Sequence, residues 1–324
     1  VTDSRVAELV EAARAGRVRA IARLISLVEN NAPELPEVLR LLAPHTGRAH
    51  VIGLTGSPGV GKSTTTTALV AAYRGQGLKV GVLAVDPSSP FSGGAVLGDR
   101  VRMQKHSTDS GVYIRSMASR GHLGGLSTAA PQALRVFDLA GFDVVLVETV
   151  GVGQSEVEIA GTADTTLVLL APGMGDGIQA AKAGILEIGD LYVVNKADRD
   201  GAQNLVRELR TMIAMAERTP EDWKPPIVRT VASAGEGIDE LVEKIAAHRA
   251  HGEETGRLAE RRLARSRDEI QQLALASVRA SFLAGGRRGL DELAAQVRDG
   301  SLDPYAAADR LLAEVGADQV EITS

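Results

Sequence analysis

The chain has 324 residues, 44% hydrophobic and 24% charged, values ordinary for a globular protein able to bury a large core. A net charge of −5 gives no reason to expect a nucleic-acid partner, and the absence of cysteine excludes disulfides, iron–sulfur clusters and thiolate metal sites. No apolar run approaches the roughly 20 residues of a membrane helix. An N-terminus that mixes Asp3, Arg5, Glu8 and Glu11 with Val6, Leu9 and Val10 is unlike a signal peptide, so a cytoplasmic setting without a membrane partner is expected.

In chain order, apolar positions at Val6, Leu9, Val10 and Ala13, then at Ile21, Leu24, Ile25 and Val28, have helical spacing interrupted at Gly16. A further short helix is expected over Leu35–Leu42, bracketed by Pro33, Pro36 and Pro44. Residues 1–48 read as an N-terminal helical cap. From 49 to 250 strand and helix patterns alternate, with apolar or β-branched runs at 51–55, 79–85, 112–116, 143–148, 165–171, 191–194 and 227–232. Several are apolar throughout, as strands covered on both faces are. The expected fold is therefore α/β, with a mostly parallel central sheet and its ligand beyond the carboxyl ends of the strands.

The first run ends in Gly56-Ser-Pro-Gly-Val-Gly-Lys-Ser-Thr64 and is followed by a helical pattern, the strand, glycine-rich turn and helix of a P-loop NTPase. Backbone N–H groups of Gly56, Ser57, Pro58 (which contributes only its turn geometry), Gly59, Val60, Gly61, Lys62, Ser63 and Thr64 would wrap a polyphosphate. The helix N-terminus favours the negative charge, Lys62 reaches the β- and γ-phosphates, and Ser63 offers its hydroxyl to Mg²⁺. Asp86 ends the second run, and Asp99 follows the Gly93-Gly94 turn. Both are candidate metal or water-positioning acids, with a surface carboxylate the alternative for Asp99. After the fourth run, Glu148 takes the place of the Mg²⁺-holding Asp of many GTPases, and the N–H of Gly151 would sense the γ-phosphate. Val152 stands where a catalytic Gln would directly follow. Gln154 either positions the attacking water or braces the loop, so slow turnover accelerated by a partner is expected.

Asn195-Lys-Ala-Asp198 follows the sixth run. One carboxylate, Asp198, can accept both the N1–H and the N2 amine of guanine. Adenine would leave that carboxylate unpaired. Asn195 would brace the loop and Lys196 lie over the base. In Val228–Ile238, alignment on Gly235-Glu-Gly-Ile238 puts Val231 and Ala232 at the base-contacting turn, whereas a shifted register puts Ser233-Ala234 there. Strand patterns end near residue 250, and 251–324 reads as a C-terminal helical extension. It has a long helix over Arg257–Ala284 and a last one opened by Asp303-Pro304; with little core of its own, it is expected to serve as a dimerisation arm.

The segments Ala84–Ser89, Gly98–Met103, Glu148–Glu156 and Pro172–Asp176 together resemble the MeaB/ArgK family, the methylmalonyl-CoA mutase-associated GTPases of the SIMIBI class, along essentially the whole chain. The resemblance implies a homodimeric chaperone that hydrolyses GTP to GDP with Mg²⁺ and serves an adenosylcobalamin-dependent methylmalonyl-CoA mutase, protecting it and gating cofactor loading. It places Asp86 and Asp99 in one switch, Glu148 in a second, and Gln179 and Lys182 in a third that reaches the nucleotide. Two other classes remain open. A metallochaperone GTPase would need clustered soft or imidazole ligands, and the sole close histidine pair, His248 and His251, reads as a solvated helix face. A small-molecule kinase would need an acceptor pocket that no motif marks.

Overall fold

The computed structural model describes residues 2–87, 108–119, 129–149, 155–173, 187–215, 219, 221–284 and 287–322. It divides into two compact units, Val1–Leu263 and Ala264–Ser324.

The first unit begins with helices α1 (Thr2–Arg14), α2 (Val18–Glu29) and α3 (Leu35–Leu42). The break falls at Gly16, which takes a left-handed φ of 78°. Strand β1 (His50–Thr55) then leads into α4 (Lys62–Gly75), β2 (Val80–Pro87), β3 (Val112–Ser119), α5 (Ala129–Leu139), β4 (Val144–Thr149) and α6 (Ser155–Thr162). Next come β5 (Thr165–Leu170), β6 (Leu191–Asn195), α7 (Ala202–Met215), β7 (Ile227–Thr230) and α8 (Ile238–Glu254). The seven strands form one sheet in the order β3-β2-β4-β1-β5-β6-β7, and every pairing is parallel. The expectation of a mostly parallel sheet is met throughout.

Side-chain alternation divides the core between the two faces. Ile52, Leu54, Val82, Leu146, Leu167 and Val193 point to one face, under Leu69 and Tyr73 of α4 and Leu241 and Ile245 of α8. Val51, Leu83, Val145 and Val147 point to the other, under Leu24, Val38, Phe137 and Ile159. There Val168, Leu170, Tyr192 and Val194 meet Leu205 and Leu209 of α7. Both faces being buried, β1, β4 and β5 are covered along their whole length. At about 25 cal/mol per Å² such apolar burial is the main source of stability.

Helix α9 (Arg257–Ala284) runs from the first unit into the second, which also holds α10 (Arg287–Arg298) and α11 (Pro304–Ile322). Asp303 caps α11, its Oδ1 accepting the N–H groups of Tyr305 and Ala306 at 3.0 Å each. Leu293 and Ala307 are buried in this unit, while Ile270, Leu275, Val278, Leu290, Tyr305 and Leu312 are exposed.

Candidate functional site

The carboxyl end of β1 turns through Gly56–Gly61 into the first residue of α4, Lys62. Gly56, Gly59 and Gly61 all have positive φ, at 140°, 80° and 101°. Glycine is required at two of them for space as well: a Cβ on Gly56 would run into the Leu169 carbonyl, and one on Gly61 into the Asn195 amide. Val60, only 2% exposed, pins the middle of the turn into the core. Lys62 is buried, and its Nζ donates to the carbonyls of Gly56 at 2.5 Å and Ser57 at 3.2 Å, which draws the ammonium over the mouth of the turn.

Glu148 lies at the carboxyl end of β4, opposite Leu54 of β1 and Ala84 of β2, and is 3% exposed. Ser63 Oγ donates to its Oε1 at 2.6 Å, and Thr66 Oγ1 to its Oε2 at 2.9 Å. A carboxylate and a hydroxyl this close form a hard-oxygen donor set, which fits Mg²⁺. The backbone of Asp86 is at the same end of β2, where Val85 pairs with Thr149, the residue after Glu148. Asp99, Gly151, Gln154, Gln179 and Lys182 lie outside the described residues.

At the end of β6, Asn195 joins three segments. Its Nδ2 donates to Val60 O at 2.9 Å, while its Oδ1 accepts Thr230 Oγ1 and Ala232 N–H, both at 3.1 Å. Lys196 has a φ of 55°, rare for a residue with a side chain, and its Nζ donates to Gly59 O at 2.6 Å. Asp198 follows in the same turn, exposed to solvent. In the turn after β7, Val231 N–H is taken by Glu236 O and Ala234 N–H by Val231 O. With Ala232 N–H committed to Asn195 and Ala234 N–H to Val231, the Ser233 N–H between them has no hydrogen bond among the described residues. A cavity of about 810 Å³ opens between this turn and the start of α4, lined by Ser63, Thr64, Thr67, Ser233 and Ala234.

A second cavity, of about 540 Å³, lies at the opposite end of the sheet, where the strands begin. Here the structure corrects the reading of His248 as part of a solvated helix face. It is buried, its Nδ1 lies 2.9 Å from Thr165 Oγ1, its Nε2 is 3.3 Å from Asp190, and Trp223 packs edge-on against its ring. Thr165 Oγ1 also meets His50 Nε2 at 2.9 Å, and Arg261 clasps Asp190 with two bonds of 2.7 and 2.9 Å. Among the described residues no group of three His, Cys, Asp or Glu side chains could hold a metal ion. None of the described helices is long and apolar enough to cross a membrane.

A parallel sheet whose first strand feeds a glycine-rich turn, with an Asn side chain bridging that turn to the loop after β7, defines a P-loop GTPase. The chain belongs to the MeaB family: the family described as Methylmalonyl Co-A mutase-associated GTPase MeaB matches residues 21–287. It is 48% identical over 310 residues to a Pyrococcus horikoshii protein named as a GTPase, covering 95% of this chain and 98% of the relative. Mouse (Mus musculus) methylmalonic aciduria type A homolog, mitochondrial, is 35% identical over 319 residues, covering 92% and 76% respectively. The solved structure titled LAO/AO transport system kinase superimposes with a TM-score of 0.71 at 27% identity, covering 98% of this chain and 99% of that one.

Proposed function

We propose that this GTPase is the nucleotide-gated chaperone of an adenosylcobalamin-dependent methylmalonyl-CoA mutase, protecting that enzyme and gating its cofactor loading. The nucleotide half rests above all on Asn195, whose one carboxamide ties the phosphate-binding turn to the base-reading loop and sets the distance between them. The mutase half is supported by the family description, which names that enzyme, and by the name of the mouse relative.

In this reading, Asp198 accepts the N1–H and N2 amine of guanine, the stem of Lys196 covers the base, and the free Ser233 N–H meets O6. The turn from Gly56 to Thr64 wraps the phosphates. Lys62, already held over the mouth of that turn, meets the β- and γ-phosphates. Ser63 and Glu148, with Asp86 and Asp99, would hold Mg²⁺, which when bound neutralises charge on the phosphates. By the family resemblance, Gly151 would sense the γ-phosphate, Gln154 would orient the attacking water or brace its loop, and Lys182 would reach the nucleotide. The helices after residue 250 build a homodimer.

Lys62→Ala abolishes hydrolysis. The wild-type chain alone turns over slowly, since Val152 fills the position of a catalytic Gln, and faster with its mutase. A steady-state phosphate-release assay with and without the mutase tests this; fast turnover that the mutase leaves unchanged would contradict it.

A further inference from the structure

Helix α4 carries Thr64, Thr65, Thr66 and Thr67 in succession, and two of these hydroxyls bond differently. Thr67 Oγ1 donates to Ser63 O at 2.8 Å, the usual back-bond of a helical threonine to the carbonyl four residues earlier. Thr66 Oγ1 has the same option, Lys62 O at 3.0 Å, but a second acceptor, Glu148 Oε2, stands at 2.9 Å. One hydroxyl has one hydrogen, and an ionised carboxylate is the stronger acceptor. Thr66 is fully buried, so no water competes for it.

Ser63 and Thr66 are three residues apart and share one face of α4. From that face their hydroxyls address the two oxygens of the same carboxylate, Oε1 from Ser63 and Oε2 from Thr66. Glu148 has one more rotatable bond than an Asp at this position would have, and so more freedom to lose on ordering. We infer that Thr66 is a positioning residue, whose hydroxyl fixes the plane of the Glu148 carboxylate so that the longer side chain presents Oε1 beside Ser63 Oγ for Mg²⁺. This inference rests on the reading of Ser63 and Glu148 as the metal-holding pair. Thr66 itself touches neither nucleotide nor metal; it acts through Glu148.

The test compares wild type, Thr66→Val and Thr66→Ser, measuring affinity for a fluorescent GDP across free Mg²⁺ concentrations and in EDTA. Thr66→Val keeps the shape and removes the hydroxyl. It raises the Mg²⁺ concentration for half-maximal effect by roughly tenfold or more, as loss of a hydrogen bond to a charged group implies, and leaves affinity in EDTA within about twofold. Thr66→Ser stays within about threefold of wild type throughout. An unchanged Mg²⁺ requirement in Thr66→Val, or an equal loss with and without Mg²⁺, would overturn the inference. If Thr66→Val does not fold, Thr66→Ala is measured alone and on Glu148→Asp. The shorter carboxylate falls out of reach of Thr66, so the penalty shrinks severalfold there, and an undiminished penalty overturns the proposal. A wild type indifferent to Mg²⁺ would instead sink the metal-site reading beneath it.

Discussion

Asn195 and Gly61 show how little room the nucleotide site leaves. The Asn195 carboxamide sits where any Cβ at Gly61 would go, and Gly61 holds a φ of 101°. Gly61→Ala therefore costs strain and displaces the one side chain that links the two loops. Denaturant melts should show a loss of about 1–3 kcal/mol, and GTP affinity should fall at least tenfold; wild-type affinity in this variant would mean that Asn195 does not organise the site. Much of this residue-level pattern was legible in the sequence, because Gly56–Thr64 and Asn195–Asp198 are short motifs whose residues stand at fixed spacing within one stretch of chain. What pairs distant residues was not. Thr66 and Glu148 are 82 positions apart, and His248 meets a threonine 83 positions away. His248 has Arg249 and His251 as helix neighbours, which suggests a wet face, yet its burial comes from Trp223 and Thr165, far off in the chain. The sequence left two registers open for the turn after β7, and only the bonds of Val231, Ala232 and Ala234 set the Ser233 N–H apart from them.

At the scale of elements, the amino ends of β1, β5 and β6 are tied to the first turns of α9. Arg262 bonds Asp164 at 3.1 and 2.7 Å and the Ala49 carbonyl at 3.2 Å, while Asp164, almost wholly buried, also accepts the Val51 N–H at 3.1 Å. Arg262→Met removes one charge partner of that buried carboxylate and should lower unfolding stability by about 3 kcal/mol in a urea titration; a change under about 1 kcal/mol would show the pair to be dispensable. His50, in the same region, has its pKa pushed down to about 4 by burial, with Asp164 opposing and Arg249, His248 and Arg262 assisting. The unfolded chain thus takes up the proton more readily than the folded one. The neutral ring's contribution is complete above pH 6.5 and lost as pH falls toward 4, by up to about 3 kcal/mol. Asp190 acts in a lower window. Burial would raise its pKa, but the bonds from His248 and Arg261 prevail and bring it down to about 2, so its contribution is lost only below pH 3.8. Melting temperature should therefore fall between pH 6.5 and 4.5, and His50→Gln should flatten that slope; parallel profiles would exclude His50. The strands were readable as apolar runs because both faces of the sheet are covered. Helices α5, α7 and α10 were not marked individually, because their apolar faces pack against residues distant in the chain rather than being announced by a local cap.

For the molecule as a whole, alternation of strand and helix predicted the parallel sheet, and the parallel connections put every loop of the site at one end. Among its described residues the second unit buries Leu293 and Ala307 and exposes Ile270, Leu275 and Tyr305. Sedimentation should find a dimer at micromolar concentration that Ile270→Asp with Leu275→Asp converts to monomer; a wild type monomeric at every concentration would contradict the proposed arm. Which base the site accepts is read out by calorimetric titration with GTP, ATP and xanthosine triphosphate. Wild type should bind GTP at least about a hundredfold more tightly than ATP, since adenine leaves Asp198 unpaired, and Asp198→Asn should shift preference toward xanthosine triphosphate. Equal affinity for ATP and GTP in wild type would contradict recognition of guanine by Asp198.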